Sequence, residues 1–350
     1  MQGIDLFAGA GGMSIGAINC GIDIRYAVEM DAKAAKTFAK NHPETTLLEQ
    51  DIRAVKSSNL KLKKNVQSII FGGPPCQGFS TSNQKTRNVE NDKNWLFREY
   101  VRIVSEIRPD WVVFENVKGL LETESGYFLE AVLRGFRDLG YTTSHFVLNS
   151  ADFGVPQRRN RLFIVASLHG IEVPPPKPSV KKQITVGQAI SDLPKLGNGG
   201  KICELPYGRK ARSKFAQSMR KELQFCSNNI VTSNAEHIVR RYAYIPQGGN
   251  WEDIPRHLMD NYTDVERCHT GIYRRLKLDE PAVVIGNFRK NMLIRPTQDR
   301  GLSVREAARL QSFPDDFKFY GSIGFQQQQV GNAVPPLLAK AVFSQILRSP

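Results

Sequence analysis

The stretch "IDLFAGAGGMSIG" at residues 4–16 decides the fold, because a strand, a sharp turn and a helix start follow one another in it. Its apolar beginning predicts a buried strand over Gly3–Phe7. The glycines that follow allow a tight turn and let a ligand approach the backbone at a helix N-terminus. The stretch therefore predicts a strand–turn–helix unit, whose turn either binds a ligand or is only a tight joint.

The same alternation of apolar runs and amphipathic stretches continues through the first 170 residues and is typical of α/β proteins. Further strands are predicted over Ile24–Val28, Thr46–Glu49, Ser68–Phe71, Trp111–Glu115, Ser144–Leu148 and Leu162–Ala166. Helices are predicted over Ala32–Asn41, Trp95–Ile107 and Tyr127–Leu139. The proline-rich "VPPPKP" at 173–178 is stiff and extended, and we interpret it as a domain boundary.

The second half shows a weak pattern between residues 180 and about 300, and no elements are predicted there. Near the end, "GLSVREAARLQSF" predicts a helix with Ser303 as its N-cap and Glu306 at the capping-box position. A last helix is predicted over about Pro335–Leu347, with prolines in its first turn. A chain of 350 residues with this break is expected to form two domains.

The composition is that of an ordinary globular protein, with 41% hydrophobic and 23% charged residues. We see no run of 18 uncharged apolar residues and no signal-peptide pattern, so we expect a cytoplasmic protein without membrane segments. The five cysteines are far apart, and none has a partner at zinc-site spacing. We therefore expect neither a disulfide framework nor a metal.

Positive charge is concentrated in the second half of the chain. Residues 1–180 carry 22 lysines and arginines against 19 acids, whereas residues 181–350 carry 26 against 15. The segment 201–241 alone has 9 basic and 3 acidic residues. A solvated basic face would explain this bias, and so would a polyanionic partner held mainly by the second half.

Two acids at predicted strand ends favour a nucleoside cofactor at the glycine turn. The dinucleotide-binding fingerprint G-x-G-x-x-G is not met, because Gly9 and Gly11 fit it but Ser14 occupies its last position. Glu29, about 20 residues beyond the glycines, is placed to hold ribose hydroxyls. Asp51 ends the third strand, where a carboxylate can accept a hydrogen bond from an adenine amino group. Each acid alone is more often a solvated or helix-capping residue, but their position at one sheet edge favours the cofactor.

A cysteine and a further acid follow the next two strands. Cys76 comes directly after the rigid turn "FGGPP", where a thiol can be exposed and reactive, although most free cysteines are inert core residues. Glu115 follows "WVVF", and these apolar neighbours should raise its pKa towards that of a general acid. Helix capping is the alternative role for Glu115. The polar stretch 80–94 between them has no periodicity, and we interpret it as a lid over a bound substrate.

Arginines precede the last predicted strand in "QRRNR" at 157–161. Arg159 and Arg161 are two residues apart and so lie on one side of an extended segment. They could contact a base carbonyl or a phosphate, or they could simply cover the strand end.

Together these motifs resemble those of the cytosine-5 DNA methyltransferases. The matching segments are "DLFAGAGG", "EMD", "QDI", "GGPPCQGFS", "FENVKGLL", "QRRNRLFIVA", "LSVREAARLQSFPDDF" and "QVGNAVPP", in the family's order from residue 4 to about 342. The gap at about 180–295 falls where that family has its variable target-recognition region. No catalytic position departs from the family pattern.

The resemblance implies an α/β fold, with the mixed sheet of a Rossmann-like methyltransferase that uses S-adenosyl-L-methionine (AdoMet), and a second, smaller target-recognition domain. The AdoMet-binding catalytic domain would span residues 1–178 and be completed by a C-terminal helix at 330–350. The recognition domain would span residues 184–322. The implied partners are double-stranded DNA and, functionally, a restriction endonuclease. We expect a monomer that is associated with the nucleoid of a bacterium.

Residue by residue, the resemblance implies that Cys76 is the nucleophile and that Glu115, Arg159 and Arg161 grip the target base. Phe7 would stack on the adenine of AdoMet. The implied cofactor-binding residues are Phe7, Gly9, Ala10, Gly12, Glu29, Met30, Asp51, Ile52, Pro75, Leu96, Asn332 and Val334, and the implied DNA-binding residues are Gln77, Ser80 and Arg87.

The implied chemistry accounts for these residue types. Carbon 5 of cytosine is a poor nucleophile until the ring's aromaticity is broken, which a thiolate does by adding to carbon 6. Glu115 would protonate or hydrogen-bond ring nitrogen 3, and Cys76 would be expelled once carbon 5 has gained the methyl group and lost its proton. No metal is needed, but the base must be flipped out of the duplex. The alternatives are a transfer RNA methyltransferase, a catalytically silent DNA-binding regulator and, disfavoured by the failed fingerprint, a nicotinamide enzyme.

Overall fold

The computed structural model describes residues 1–75, 96–122, 126–259, 271–286, 288, 290 and 292–349. Seven strands in this part of the chain form one sheet in the order β3-β2-β1-β4-β5-β7-β6. They are β1 (Gln2–Leu6), β2 (Asp23–Val28), β3 (Thr46–Leu48), β4 (Ser68–Gly72), β5 (Trp111–Val117), β6 (Thr142–Asn149) and β7 (Asn160–Ser167). Each coincides with a strand predicted from the sequence, which confirms the α/β fold with a mixed sheet.

The direction of the strands brings the predicted site residues to one edge of the sheet. β1 to β5 run parallel, so their carboxyl ends share that edge. β7 runs antiparallel between β5 and β6, and its beginning therefore lies at the same edge. The register pairs Gly72 with Leu6 on one side and with Phe114 on the other. The chain that leaves β4 towards Cys76 thus starts between the ends of β1 and β5.

The helices are α1 (Gly12–Ile18), α2 (Ala32–Asn41), α3 (Leu96–Ile107), α4 (Tyr127–Asp138), α5 (Val186–Ile190), α6 (Lys214–Arg220), α7 (Glu236–Ala243), α8 (Val304–Leu310), α9 (Ile323–Asn332) and α10 (Pro336–Ile346). The chain divides into two compact units. The first contains residues 1–153, 159–179 and 334–350, and the second contains residues 154–158 and 180–333. The role of the second unit in target recognition stays a prediction.

The first unit has a helical layer on each face of its sheet. On one face, the apolar residues of β1 and β5, among them Leu6 and Phe114, pack with Tyr100 of α3 and Phe136 of α4. On the other face, α1 packs against α10, and a Cβ added at Gly16 would lie 2.6 Å from the Cβ of Ala339. Glycine at this position allows the two helices to approach closely. The C-terminal helix therefore belongs to the first unit, although the second unit precedes it in the chain.

The second unit buries several charged side chains as well as apolar ones. Helix α8 begins after Ser303, which forms the predicted capping box with Glu306. Arg305 and Arg309 of this helix are fully buried and donate hydrogen bonds to the chain around them, as do Arg275 and Arg300 from neighbouring segments. A separate apolar cluster forms around Tyr242 and Tyr273. Strands β8 (Leu205–Pro206) and β9 (Phe225–Cys226) form a small antiparallel pair. No helix in the described ranges is long and apolar enough to cross a membrane.

Candidate active site

The glycine turn after β1 has a backbone that few residues other than glycine adopt. Gly9 has φ 55° and Gly11 φ 98°, and Phe7 just before them is itself in the left-handed region with φ 61°. A Cβ added at Gly9 would meet no heavy atom within 4 Å, so the space over the turn is open. On its other side the turn is closely packed, since a Cβ at Gly11 would lie 2.4 Å from Nε2 of His42. A strained, supported turn beneath open space is typical of a ligand site.

Glu29 is fixed beside this turn by two backbone amides. The amide of Gly9 donates to Oε2 at 2.7 Å, and the amide of Asp31 donates to Oε1 at 2.7 Å. Burial raises the pKa of Glu29, and the two amide donors oppose that rise. The next residue, Met30, is 63% exposed, which leaves a large apolar side chain open at the end of β2. The structure thus joins the glycine turn to Glu29 and sets an apolar surface next to the acid.

Asp51 lies just beyond β3 as the N-cap of a 3-10 turn over Ile52–Ala54. Its carboxylate is occupied by Arg53, whose Nη2 donates at 2.6 Å and whose Nε lies 3.0 Å from the other oxygen. The Arg53 side chain and backbone amide hold the pKa of Asp51 below its usual value. Ile52 is buried in the core of the first unit. The sequence gives no sign that Asp51 would already have a cationic partner.

The other predicted cofactor residues differ in burial and lie on several elements. Ala10 and Gly12 are buried in the turn and at the start of α1, and Phe7 is half-buried against the core. Leu96 begins α3 and Pro75 ends the described segment after β4; both are half-buried. Val334 is buried in the first unit, whereas Asn332 is the exposed last residue of α9 in the second unit.

Glu115 lies near the end of β5 and is 8% exposed. Arg161 on β7 pairs with it, with Nε 2.9 Å from Oε1. The register explains this contact, because Phe163 is directly opposite Glu115 and Arg161 is the diagonal neighbour on the same face. Burial raises the pKa of Glu115, and the charges of Arg161 and Arg159 oppose that rise without cancelling it. Arg159 itself is buried just before β7. The structure therefore brings Glu115, Arg159 and Arg161 together.

The backbone after β4 passes directly over Glu115. A Cβ added at Gly73 would lie 2.5 Å from Oε2 of Glu115, and one added at Gly72 would lie 1.8 Å from the carbonyl oxygen of Leu6. Nδ2 of Asn116 donates to the carbonyl oxygen of Pro74 at 3.2 Å. Both glycines are thus required for the close approach of this segment to β1 and β5. The predicted site residues Cys76, Gln77, Ser80 and Arg87, and the 80–94 stretch interpreted as a lid, lie outside the described residues.

The structure adds Asp5, which sequence reasoning missed. Asp5 lies on β1 next to the glycine turn, is fully buried and accepts a hydrogen bond of 2.6 Å from Oγ of Ser14. Burial raises its pKa to about 8, with a smaller rise from the charge of Glu29. One signal was available, because Ser14 occupies the position where the dinucleotide fingerprint requires glycine. Asn116, which tethers Pro74, was likewise missed as a site residue.

Comparisons with known proteins agree with this geometry. The family model for C-5 cytosine-specific DNA methylase matches residues 1–348. The Type II methyltransferase M1.HphI of Haemophilus parahaemolyticus is 37% identical over 349 residues, covering 99% of this chain and 86% of that protein. The Type II methyltransferase M.XorII of Xanthomonas oryzae is 34% identical, covering 99% of this chain and 84% of that protein.

Solved structures show the same fold over almost the whole chain. A structure described as a prophage-encoded DNA modification methyltransferase of E. coli matches with a TM-score of 0.81 and 24% identity, covering 99% of this chain and 98% of that one. The Dnmt2 methyltransferase of S. pombe matches with a TM-score of 0.58 and 14% identity, again over 99% and 98% of the two chains. At these identities the solved structures show only that the fold is shared. The family model and the Type II relatives show which family the chain belongs to. The chain therefore belongs to the C-5 cytosine-specific DNA methylases.

Proposed function

We propose that this cytosine-5 DNA methyltransferase transfers a methyl group from AdoMet to carbon 5 of a flipped cytosine in a specific duplex DNA sequence, through a covalent adduct with Cys76. The observation that carries the proposal is the position of Glu115. This buried acid has a raised pKa, two neighbouring arginines and a carboxylate oxygen against Gly73, three residues before Cys76. A buried acid beside a segment that leads to a thiol supports acid–nucleophile chemistry on one substrate ring.

The turn at the carboxyl end of β1 fits AdoMet. Gly9 and Gly12 would line the methionine part, Glu29 would hold the ribose, and Phe7 with Met30 would cover the adenine. The open space over Gly9, the fixed carboxylate of Glu29 and the exposed side chain of Met30 support this assignment. Neither a phosphate-binding loop nor a cluster of cations lies at the turn, which suits a nucleoside without phosphates. When bound, AdoMet supplies a methyl group made electrophilic by a positively charged sulfur.

The remaining assigned cofactor residues complete the pocket in the proposal. Asp51 would accept a hydrogen bond from the adenine amino group, and its ionised state suits an acceptor. Ala10, Ile52, Pro75, Leu96, Asn332 and Val334 would supply the walls. Because Arg53 holds the Asp51 carboxylate, the adenine would have to share this oxygen pair with the guanidinium.

Glu115 would act as the acid of the reaction. Its raised pKa increases the fraction that carries a proton, and a protonated carboxyl can donate to ring nitrogen 3 of cytosine. A proton or hydrogen bond at that nitrogen draws electrons from the ring when the Cys76 thiolate adds to carbon 6. Arg161 keeps the carboxyl oriented at 2.9 Å, and Arg159 places a second buried guanidinium beside it. Both arginines are suited to hold the base carbonyl oxygen.

Duplex DNA is the proposed substrate, and the residues that would contact it near Cys76 are Gln77, Ser80 and Arg87. The target carbon is buried inside a stacked duplex, so the base must leave the helix before the thiolate can reach it. The Type II relatives support pairing with a restriction endonuclease as the biological setting. Transfer RNA as the substrate is the second candidate, and the family match disfavours it.

The first test measures methyl transfer from labelled AdoMet to duplex DNA and to transfer RNA in parallel. We expect label in DNA, and label in RNA alone would overturn the proposed substrate. Cys76→Ala should abolish transfer but leave AdoMet binding within a few-fold of wild type. Cys203→Ala is the matched control, because Cys203 is an exposed free thiol of the second unit. Normal turnover by Cys76→Ala would contradict the mechanism.

A second test traps the adduct. DNA containing 5-fluorocytosine should form a covalent complex that survives denaturation, because fluorine at carbon 5 prevents the proton loss that releases the thiol. A catalytically silent DNA-binding protein would give no such complex. Bisulfite sequencing of plasmid DNA from cells that express the protein would then give the recognised sequence.

A further inference from the structure

A short loop of the second unit carries four cations and no acid. We call residues 208–214, "GRKARSK", the basic loop. Arg209, Lys210, Arg212 and Lys214 are all exposed. None of them forms an ion pair with an acid in the described part of the chain, although four exposed acids of the same unit pair with other cations in five ion pairs. Those pairs are Lys221–Asp316, Lys318–Glu204, Arg240–Glu236, Arg158–Glu280 and Lys277–Glu280.

Hydrogen bonds fix the backbone of the basic loop at both of its ends. The amides of Gly208 and Arg209 both donate to the carbonyl oxygen of Asp192, at 3.0 and 3.2 Å. A Cβ added at Gly208 would lie 2.9 Å from the carbonyl oxygen of Leu193, so the loop lies tightly against its support. At its other end, Oγ of Ser213 donates to the carbonyl oxygen of Gln188 at 2.5 Å. Between these anchors the side chain of Ala211 is buried.

The support beneath the loop is itself a buried network of charges. Arg309 bridges Asp192 and Asp315, with Nη1 3.0 Å from Asp192 and Nε 2.6 Å from Asp315. The hydroxyl of Tyr207 donates to Asp315 at 2.6 Å. Arg220 lies 3.9 Å over the Tyr207 ring and also donates to the carbonyl oxygen of Arg209. The acids of this network are thus already paired, and none of them neutralises the basic loop.

A rigid backbone that presents unpaired cations is costly for the isolated protein and useful for binding an anion. Like charges at neighbouring exposed positions repel, so a merely solvated surface gains nothing from omitting acids there. Because hydrogen bonds already hold the backbone at both ends of the loop, a bound partner would mainly have to order the four side chains. Two arginines and two lysines spaced over six residues, the last of them at the start of α6, suit a row of phosphates better than a single small anion.

From this we infer that the basic loop binds the phosphate backbone of the DNA duplex that carries the target cytosine. The inference rests on the proposed function for the identity of the polyanion. The contacts would be independent of base sequence, because they reach phosphate oxygens and not base edges. The loop would therefore contribute affinity and register on the duplex, while recognition of the DNA sequence would fall to other residues of the second unit.

The test measures the salt dependence of DNA binding. In one variant Arg209, Lys210, Arg212 and Lys214 are all changed to Gln, and the affinity for a short labelled duplex is measured between about 0.05 and 0.3 M salt. Each lost phosphate contact should reduce the slope of log affinity against log salt by about 0.9. We expect the slope to fall by about 2 to 4, with a loss of affinity on the order of 10²-fold at 0.1 M salt, equal for target and unrelated sequences.

A matched control removes the same charge elsewhere. Lys36, Lys40, Lys61 and Lys64, all exposed residues of the first unit, are changed to Gln together; Lys61 and Lys64 precede β4 and so lie towards the opposite sheet edge from the predicted site. We expect the control to change the slope by less than about 1. An equal slope change in both variants would overturn the inference, because it would show a general effect of net charge.

Three further readouts keep the outcome interpretable. The single variants Lys210→Gln and Arg212→Gln should each reduce the slope by about 1, and they cover the case in which the fourfold variant fails to fold. AdoMet affinity of each variant reports on the fold of the first unit. If wild type methylates DNA and the loop variants keep its slope, the inference alone fails. If wild type methylates only RNA, the proposed function fails, and the same variants then test whether the loop binds that polyanion instead.

Discussion

Two glutamates show how the same residue types yield different sites in the two units. Glu115 in the first unit and Glu306 in the second are both buried, and each has two arginines near it. Yet burial leaves the pKa of Glu115 above its usual value, while that of Glu306 is lowered to about 2. The difference cannot come from burial, which raises the pKa of both acids.

Hydrogen bonding separates the two sites. Both oxygens of Glu306 accept from Arg300, at 2.8 and 2.8 Å, and Oε1 also accepts from Arg295 at 2.7 Å. The amide of Ser303 adds a further bond of 2.8 Å to Oε2. In the described part of the chain, Glu115 has its ion pair with Arg161 through one oxygen, while its other oxygen points at Gly73. A fully satisfied carboxylate stays ionised and structural, whereas a partly satisfied one keeps capacity to bind and to exchange a proton.

Of the changes that test this comparison, Glu115→Gln should have the largest effect, and that effect is on catalysis. The amide keeps the size of the side chain but cannot supply a proton, so methyl transfer should fall by about 10²- to 10⁴-fold. Stability should fall by less than in Glu306→Gln, because the change leaves the largely buried Arg161 without its carboxylate but also removes an acid that burial disfavours in its charged form. Single-turnover transfer from labelled AdoMet measures the first quantity and urea unfolding the second. A variant with near-normal transfer would remove Glu115 from the chemistry.

Glu306→Gln should show the opposite division of effects. It leaves the guanidinium groups of Arg295 and Arg300 buried without their carboxylate, and breaking such a pair costs about 3–5 kcal/mol in unfolding free energy. Urea unfolding, followed by circular dichroism, measures this loss. Methyl transfer by the fraction that remains folded should stay near wild type. A clear loss of methyl transfer by the folded fraction would mean that Glu306, like Glu115, contributes to the reaction.

The pH dependence of stability should carry opposite signs for the two acids. For Glu306, the folded pKa of about 2 lies below the unfolded value near 4.5, so its contribution is complete above pH 4.5 and is lost as pH falls through about 2. That loss is roughly 3 kcal/mol and should be missing in Glu306→Gln. For Glu115 the folded pKa lies above 4.5, so stability falls as pH rises from 4.5 through the folded value. In Glu115→Gln this fall of stability with rising pH should be smaller, which the unfolding free energy measured across pH would show.

The sequence predicted the sheet and its edge well, because those features follow from local patterns. Period-two and buried apolar runs located all seven strands of the large sheet, and α2 spans Ala32–Asn41 as predicted. The capping box of Ser303 and Glu306 is likewise a local signal and is confirmed. The sequence indicates the acids Glu29 and Glu115 because each comes at the end of an apolar run.

What the sequence could not show are contacts that depend on the order of strands in space. Glu115 meets Arg161 because β7 enters the sheet antiparallel beside β5, which no local pattern reveals. Glu306 was assigned a capping role, but its partner Arg295 belongs to a segment without clear periodicity, so the ion pair was not predicted. Around Asp5 the sequence indicates only an apolar strand, because the hydrogen bond from Ser14 forms only once α1 has folded back over β1.

The smallest expected effect concerns Asp51, whose half-buried carboxylate pairs with the exposed Arg53. An exposed ion pair contributes about 0–1 kcal/mol, so Asp51→Asn should leave the unfolding free energy almost unchanged, unlike Glu306→Gln. If its oxygen accepts from the adenine, AdoMet affinity should fall about tenfold, the value of one hydrogen bond to a charged group. Arg53→Ala is the control, because it removes the ion pair but keeps the carboxylate. Calorimetric titration that finds equal losses in both variants would assign the affinity to the pair, and unchanged affinity in Asp51→Asn would place Asp51 outside the pocket.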